Sequence, residues 1–294
     1  MNNSASTRPR LPSPLVSTDW LSDHLNAQDL RILDCSVVRQ DKEDGTYTFV
    51  SGKPGWAKSH IPGSMHIDVM GELSDPNSPI PLMMPPVADF ADIMAGYGIG
   101  SGTLVVLYDN SNHAWAARVW WMLRVCGFDN AAVLNGGWKK WCMENRETTD
   151  EVVTFPRGNF VPAPRPGLMA TKEEVLASLG SKDVCLIHAL PPASFTGEAA
   201  PYGRPGRIPG SRNVYCEWLV DPETGTYIDP VAQRDLFDKT GALEADRVIT
   251  YCGGGIAASS DALALVCLGI ENVAVYDGSL SEWAADPALP METG

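Results

Sequence analysis

The sequence predicts an α/β protein built from two similar domains, in each of which a parallel sheet has helices on both faces. Short apolar, β-branched segments alternate with helical segments along the 294 residues, which is typical of parallel sheets. The same order of segments also occurs twice, which indicates an internal duplication. Both observations favour one architecture that is used two times.

The duplication is visible in landmarks that recur in one order at a slowly shrinking offset. The capped helix start at Thr18 returns at Thr171, 171 − 18 = 153 residues later. The strand that ends at Asp109 returns as the strand that ends at Cys252, at an offset of 252 − 109 = 143. Three further pairs keep the same order: segments 31–36 and 184–189, Ile-Pro-Gly at 61–63 and 208–210, and segments 135–141 and 277–283.

The pattern also places the main elements and the domain boundaries. Strands are expected at 31–36, 104–109 and 131–135 in the first copy, and at 184–189, 247–252 and 273–277 in the second. The expected domains are 15–143 and 168–294, joined by a proline-rich linker at 144–167 and preceded by a loose leader at 1–14. Polar, proline-rich loops at 71–88 and 191–206 are candidates for ligand contact, since α/β proteins place ligands in such loops.

Charge and cysteine content limit the classes of partner. A formal net charge of −14 would repel nucleic acids and anionic membranes, so small molecules or proteins are the expected partners. No segment has the pattern of a signal peptide or a membrane span. The seven cysteines are an odd number without a C-x-x-C pair, which predicts reduced thiols in the cytoplasm. Neither they nor the five histidines have metal-ligand spacing, so no metal site is expected.

Cys252 is the main candidate for a catalytic residue. It ends a strand and is followed by Gly253, Gly254 and Gly255 and then by an alanine-rich helix. Glycines let backbone N–H groups turn toward the sulfur and a helix N-terminus adds partial positive charge, so both favour a thiolate nucleophile. Its counterpart in the first copy is Asp109, which predicts one working site and one structural copy. The remaining cysteines lack this setting and are expected to be packed thiols: Cys35, Cys126, Cys142, Cys185, Cys216 and Cys267.

Taken together, these features resemble the two-domain rhodanese-like sulfurtransferases, which include thiosulfate and 3-mercaptopyruvate sulfurtransferases. The resemblance runs from about Leu15 to the region of Trp283. It rests on the two Ile-Pro-Gly segments, on Arg-Val-Trp-Trp-Met at 118–122, on the Asn-Gly-Gly-Trp and Tyr-Asp-Gly endings, and on Cys252 opposite Asp109. It implies an inactive first domain that helps to close the cleft. It also implies a six-residue loop whose amides surround the sulfur, formed by Cys252, Gly253, Gly254, Gly255, Ile256 and Ala257.

The resemblance implies a two-step sulfur transfer that needs no metal or organic cofactor. The Cys252 thiolate takes sulfur from a small donor, 3-mercaptopyruvate or thiosulfate, and the resulting persulfide passes it to a thiol or to cyanide. A thioredoxin-like reductant is a further candidate partner. Two alternatives stay open. One is a non-catalytic sulfur carrier or binding module of this fold; the other is a cysteine-dependent phosphatase, which would need an arginine where the sequence has Ala257 and Ala258.

The loop departs from the family in ways that bear on the donor. Thiosulfate-preferring members have basic residues after the cysteine, and mercaptopyruvate-preferring members have Cys-Gly-Ser-Gly, whereas this loop is Cys-Gly-Gly-Gly. An arginine that the family often places after a strand is missing from the segment His-Ala-Leu at 188–190. The neutral loop favours 3-mercaptopyruvate or another, neutral thiol donor over thiosulfate. The candidate substrate-binding residues, with solvated or structural roles as the alternative, are Arg204, Arg207, Arg212 and His60.

Overall fold

The computed structural model describes residues 10–43 and 47–294, so residues 1–9 of the expected leader lie outside the described residues. The strands of the first domain are β1 (Leu15–Val16), β2 (Leu30–Asp34), β3 (Val37–Asp41), β4 (Tyr47–Ser51), β5 (Ser64–His66), β6 (Leu104–Tyr108) and β7 (Ala131–Leu134). Its helices are α1 (Thr18–His24), α2 (Lys53–Trp56), α3 (Val87–Gly96), α4 (Ala114–Val125) and α5 (Gly137–Met143).

The second domain repeats this plan. Its strands are β8 (Met169–Ala170), β9 (Val184–His188), β10 (Arg212–Asn213), β11 (Arg247–Tyr251) and β12 (Val273–Tyr276). Its helices are α6 (Lys172–Ala177), α7 (Pro192–Thr196), α8 (Pro230–Asp238), α9 (Ile256–Cys267) and α10 (Ser279–Trp283). Two short 3₁₀ helices are found at Pro166–Leu168 and Cys216–Leu219.

Each domain is organised around one five-stranded parallel sheet. The strand order is β1-β7-β6-β2-β5 in the first domain and β8-β12-β11-β9-β10 in the second, which is the same topology. The strand before Asp109 and the strand before Cys252 are therefore the central strands of their sheets. Parallel strands are joined by helices that cross the sheet faces, so the carboxyl ends of the central strands are free to carry a site.

Alternate residues of the central strands face opposite layers of helices, which explains why these strands read as continuous apolar runs. In β6, Val105 packs with α3 and α4, whereas Val106 packs with α1 and α5. In β11, Val248 packs with α8 and α9, whereas Ile249 packs with α6 and α10. Helices on both faces of two parallel sheets confirm the predicted fold class.

The two domains share one hydrophobic core. Helix α4 packs against α9, and a single cluster of buried side chains extends from the first sheet, through both helices, to the second sheet. Every residue of α4 except Arg124 is buried, as expected for a helix that has neighbours on all sides. Because these two helices follow the central strands, their packing brings Asp109 and Cys252 to the same region between the domains.

An antiparallel ribbon of β3 and β4 lies outside both sheets and was not predicted from the sequence. Arg39 pairs with Phe49 and Asp41 pairs with Tyr47 in its register. Directly paired residues of antiparallel strands point to one face, so these four side chains share a face of the ribbon.

The main strands begin and end within two residues of the predicted positions. The segment 144–167 is largely irregular, yet it is bound along the first domain: the N–H of Gly158 donates to Ala95 O at 2.7 Å and that of Ala163 to Cys126 O at 2.8 Å. Among the described residues, no helix has the length and apolarity needed to cross a bilayer.

Candidate active site

Cys252 lies at the carboxyl end of β11, immediately before the loop that leads into α9. Its residue is only 2% exposed, yet it forms part of the wall of a cavity of about 430 Å³ between the two domains. A buried nucleophile that reaches solvent only through such a cavity is shielded from unspecific oxidation. The geometry therefore suits a thiol that reacts with a small molecule entering the cavity.

Ser279 fixes the conformation of the loop. Its Oγ accepts hydrogen bonds from the N–H of Cys252 at 3.0 Å and of Gly255 at 3.3 Å, and donates to Tyr276 O at 2.7 Å. Ser279 itself has a positive φ of 50°, a costly backbone conformation for a non-glycine residue. It occupies the position of Gly137 in the first copy, at an offset of 279 − 137 = 142, and Gly137 has the same φ of 50°. Sequence reasoning missed this residue, although the repeat offset could have found it.

Four amides of the loop are left without a protein acceptor. The N–H groups of Gly253, Gly254, Ile256 and Ala257 donate to no acceptor within residues 10–43 and 47–294. Unsatisfied N–H groups are costly when buried, and at a helix N-terminus they form an anion site. These amides are available to the Cys252 sulfur and to any anion bound beside it.

The first domain shows how the equivalent loop is used when an anion is built in. Both carboxylate oxygens of Asp109 accept backbone N–H groups: Oδ1 from Ser111 at 2.9 Å and His113 at 3.2 Å, and Oδ2 from Trp115 at 3.1 Å and Ala116 at 3.0 Å. A carboxylate thus fills the nest of amides at the start of α4.

The two loops match closely. His113, with φ 68°, precedes α4, and Gly255, with φ 76°, precedes α9. The helices start 256 − 114 = 142 residues apart, so the loop after Cys252 is one residue shorter than the loop after Asp109. At that offset the amides of Trp115 and Ala116 correspond to those of Ala257 and Ala258. The two loops therefore present backbone N–H groups at matching positions, with Cys252 in the second domain where the first has Asp109.

A buried ion pair joins the domains beneath the loop. Arg118 of α4 contacts Oδ1 of Asp277 at 2.5 Å, and their side chains are 1% and 8% exposed. Arg118 also donates to Leu82 O at 2.9 Å, and the N–H of Met84 donates to Asp277 Oδ2 at 2.8 Å. The predicted loop 71–88 is thereby fastened against the second domain. The sequence marked 118–122 as part of the family resemblance, but gave no sign that Arg118 reaches across to the other domain.

The ion pair of Arg118 and Asp277 leaves no room for a side chain at position 255, so a glycine is required there. A Cβ at Gly255 would lie 2.5 Å from Asp277 Oδ1 and 2.7 Å from a guanidinium nitrogen of Arg118, and the residue has a positive φ. A Cβ at Gly254 would meet nothing closer than Pro81 O at 3.5 Å, which is an ordinary contact, and Gly254 lacks a positive φ. The two neighbouring glycines therefore differ sharply in their tolerance of a side chain.

We expect Gly254→Ser to fold with the stability of the wild type and to retain sulfur-transfer activity within a few-fold. Gly255→Ala should lose about 1–3 kcal/mol of unfolding free energy because of backbone strain, together with most of its activity. Urea unfolding and initial rates measured on both variants test the pair. Equal effects of the two substitutions would contradict this account of the loop.

The cavity walls are mainly aromatic and aliphatic. Leu82 from loop 71–88 and Tyr202 from loop 191–206 both line it, so both predicted loops reach the site. Tyr202 lies against the loop, since a Cβ at Gly253 would be 1.8 Å from its hydroxyl. Burial, followed by the charge of Cys252, raises the pKa of Tyr202, so its hydroxyl stays protonated and can donate to a bound substrate. Arg39 and Glu217 are the charged residues among the described lining.

None of the predicted basic residues lines this cavity. Arg207 is buried in an ion pair with Glu292 and donates to Gly294 O at 2.7 Å, and Arg204 donates to Asp286 O at 2.9 Å. Arg212 is exposed on β10. His60 is fully buried, with ring nitrogens 2.7 Å from Trp56 O and 3.1 Å from Glu151 O. The structure thus places these side chains in structural or solvent contacts: backbone carbonyls satisfy Arg204 and His60, Glu292 pairs with Arg207, and Arg212 faces solvent.

The other cysteines differ in their surroundings. Cys216 lines the cavity, and burial, Asp261 and the charge of Cys252 raise its pKa well above the usual value, so it is held as a thiol. Four of the six are buried, as predicted: Cys35, Cys126, Cys185 and Cys216. Cys142 and Cys267 are exposed, which corrects the expectation that all six are packed, since their helix ends reach the surface.

Comparison with known proteins identifies the family. The Rhodanese-like domain family matches residues 17–144 and 171–286. The chain is 32% identical over 281 residues to 3-mercaptopyruvate sulfurtransferase of Escherichia coli strain K12, covering 94% of this chain and 97% of that protein. It is 34% identical over 280 residues to thiosulfate sulfurtransferase of Cricetulus griseus, covering 92% and 91%.

A solved structure shows the same arrangement. The crystal structure of SseA from Escherichia coli, a 3-mercaptopyruvate sulfotransferase with the rhodanese fold, superposes with a TM-score of 0.80 at 30% identity, covering 91% of this chain and 98% of that one. Tandem parallel-sheet domains with one cysteine-bearing loop define the class of two-domain rhodanese-like proteins. The chain belongs to this family, and the two relatives compared above are named as sulfurtransferases.

Proposed function

We propose that this protein transfers sulfur through a persulfide on Cys252. The thiolate attacks the sulfur of a donor; in 3-mercaptopyruvate the C–S bond breaks, and its electron pair leaves with the pyruvate enolate, which takes up a proton. The thiolate of an acceptor then attacks the outer sulfur, the S–S bond breaks and the Cys252 thiolate is regenerated. With cyanide as the acceptor the product is thiocyanate. The protein supplies no electrons, and each step is balanced by its leaving group.

The observation that supports this most strongly is the matched pair of nests. In the first domain the nest holds the Asp109 carboxylate with four backbone N–H donors. In the second, the N–H groups of Gly253, Gly254, Ile256 and Ala257 in the loop after Cys252 have no acceptor within the described residues, whereas that of Gly255, the counterpart of His113, donates to Ser279 Oγ. Preorganised amides in a water-poor site stabilise negative charge without reorganisation. A thiolate and a persulfide anion are the charges that this nest would stabilise. In the first domain the Asp109 carboxylate already occupies the equivalent nest.

The donor is proposed from the charge of the cavity. The relatives are named for 3-mercaptopyruvate and for thiosulfate. Here the loop is neutral and the described lining has one cation, Arg39, against one anion, Glu217. A second negative charge on the donor would have no countercharge in a poorly solvated cavity. We therefore expect kcat/KM to be higher for 3-mercaptopyruvate than for thiosulfate, by about tenfold or more, in a side-by-side comparison with one acceptor.

The experiment that tests the site itself is sulfur mapping. The purified protein is incubated with either donor, and intact mass followed by peptide analysis locates the added sulfur. We expect one sulfur atom on Cys252, which cyanide or a thiol then removes. Sulfur on another cysteine, or none at all, would refute the role of Cys252. Continued turnover with donor and acceptor separates an enzyme from a stoichiometric sulfur carrier.

We also propose a reducing, cytoplasmic setting and a thiol partner such as a thioredoxin-like reductant. All seven cysteines are free, and a persulfide that must be discharged by thiols requires a compartment that keeps thiols reduced. The domain limits 15–143 and 168–294, with the linker 144–167, are part of the same proposal.

A further inference from the structure

One wall of the cavity is the ribbon of β3 and β4. Its four lining residues all lie on the face that holds the Arg39–Phe49 pair: Val37, Arg39, Tyr47 and Phe49. The ribbon belongs to the first domain, so it approaches Cys252 from the opposite side of the cavity to the loop and α9. The wall is therefore positioned to contact a molecule that is already in reach of the sulfur.

The two aromatic residues of this wall are exposed to solvent. Tyr47 is 46% exposed and Phe49 is 37% exposed. Their rings pack edge to face with centroids 5.5 Å apart, and the rings of Phe49 and Trp115 pack in the same way with centroids 5.6 Å apart. These rings form a continuous apolar surface along the cavity. Covering it with an apolar or aromatic group would be favourable.

Arg39 brings a cation to the same surface. Its guanidinium lies 4.1 Å from the centroid of the Tyr47 ring and 2.8 Å from Asp41. Both side chains of that ion pair are largely exposed, at 58% and 73%, so the pair is weak and easily exchanged for another anion. Arg39 is the one cation among the described residues that line the cavity.

Glu217, the anion among the described residues that line the cavity, is already hydrogen-bonded to other side chains. Glu217 accepts a hydrogen bond from Asn112 Nδ2 at 3.4 Å, and burial together with a hydrogen bond to Glu217 raises the pKa of Tyr215. Glu217 is thus held by two polar partners, Asn112 of the first domain and Tyr215 of the second. A bound molecule with one negative group would meet Arg39 on one wall and avoid Glu217 on the other.

We propose that the ribbon is the subsite for the sulfur acceptor, and that this acceptor is a thiol with an aromatic or similarly bulky apolar body and one carboxylate. The carboxylate replaces Asp41 on Arg39, and the apolar body covers Tyr47 and Phe49. The cavity of about 430 Å³ falls within the roughly 300–1,000 Å³ typical of sites for larger organic ligands. The inference rests on sulfur transfer through Cys252: the acceptor thiolate attacks the outer sulfur, and the products are the acceptor persulfide and the Cys252 thiolate.

The test uses four thiol acceptors that vary charge and ring independently. They are 2-mercaptoethanol, mercaptoacetate, 2-phenylethanethiol and 2-mercapto-3-phenylpropanoate, each with one donor at saturating concentration. We expect the wild type to prefer the anionic aromatic thiol in kcat/KM by about tenfold or more over either singly matched thiol. Arg39→Gln should abolish the preference for charge and keep that for the ring. Phe49→Ala should do the reverse. Comparing ratios between variants cancels the intrinsic reactivity of each thiol.

Two control variants test whether the loss of any exposed arginine or aromatic side chain changes the acceptor preferences. Arg157→Gln removes an equally exposed arginine, 57% against 58%, that is paired with Asp92 outside the cavity. Trp218→Ala removes an aromatic ring that is 43% exposed and does not line the cavity. Both should keep the wild-type preferences. If Arg39→Gln lowers kcat/KM equally for all four thiols, or if the wild type does not discriminate among them, the subsite is refuted.

Sulfur loading of Cys252 by the donor is measured first in every variant. If Cys252 is loaded but the acceptors are not discriminated, only the acceptor subsite fails. If Cys252 is never loaded, the proposed function fails before the acceptor is considered.

Discussion

Cys252→Ser is expected to abolish persulfide formation and to lower kcat for sulfur transfer by about 10³-fold or more, without unfolding the protein. A serine hydroxyl is a far weaker nucleophile than a thiolate and forms no persulfide, whereas its size suits the same position. The hydrogen bonds from the N–H groups of Cys252 and Gly255 to Ser279 Oγ involve no cysteine side-chain atom, so the loop should remain intact. Initial rates with both donors, together with circular dichroism and urea unfolding, measure the two effects separately.

Cys185→Ser is the matched control. Cys185 is also buried in the second domain, but its sulfur contacts Thr240 O at 3.6 Å, a partner that a serine hydroxyl can still reach. This variant should retain near-wild-type turnover. Retained turnover in Cys252→Ser, or an equal loss in both variants, would remove Cys252 from the reaction.

Asp277→Ala is expected to lower the free energy of unfolding by about 3–5 kcal/mol, the cost of leaving one partner of a buried ion pair uncompensated. Arg118 is 1% exposed, so its charge would have no access to water, and the N–H of Met84 would lose its acceptor. Because the pair lies directly beneath Gly255, activity should fall as well. The midpoint of urea unfolding measures the stability change.

The surface pair of Asp92 and Arg157 supplies the comparison, since its side chains are 73% and 57% exposed. Asp92→Ala should cost no more than about 1 kcal/mol. If Asp277→Ala is as mild as Asp92→Ala, the ion pair does not carry the interdomain stability assigned to it.

The fold was largely predictable because it depends on patterns that short segments carry themselves. Continuous apolar strands at 104–109 and 247–252 and the repeat between them led to two parallel sheets and to Cys252 opposite Asp109. Two-residue edge strands such as β1 and β10 carry too few residues to show any periodicity. The ribbon of β3 and β4 was missed because its side chains are only partly buried and lack the alternation of a sheet with one covered face.

The contacts of the site were harder to predict because they join distant residues. Arg118 and Asp277 are 159 residues apart (277 − 118 = 159) and meet only because α4 packs against α9. Proximity in sequence favoured Arg204, Arg207 and Arg212 as substrate ligands, but Arg39, the one cation among the described residues that line the cavity, comes from the other domain. Sequence distance from a nucleophile is a poor guide to which charges face it.

The core shared by the domains has a consequence for how substrates reach Cys252. Since α4 and α9 belong to one buried cluster, the domains cannot swing apart without exposing that cluster to water, at a large cost in free energy. Donor and acceptor are therefore expected to reach Cys252 through the same cavity, whose walls keep their positions. In the proposed mechanism the persulfide on Cys252 makes sulfur transfer a double displacement, and the rigid packing between the domains keeps the cavity in one shape through both half-reactions.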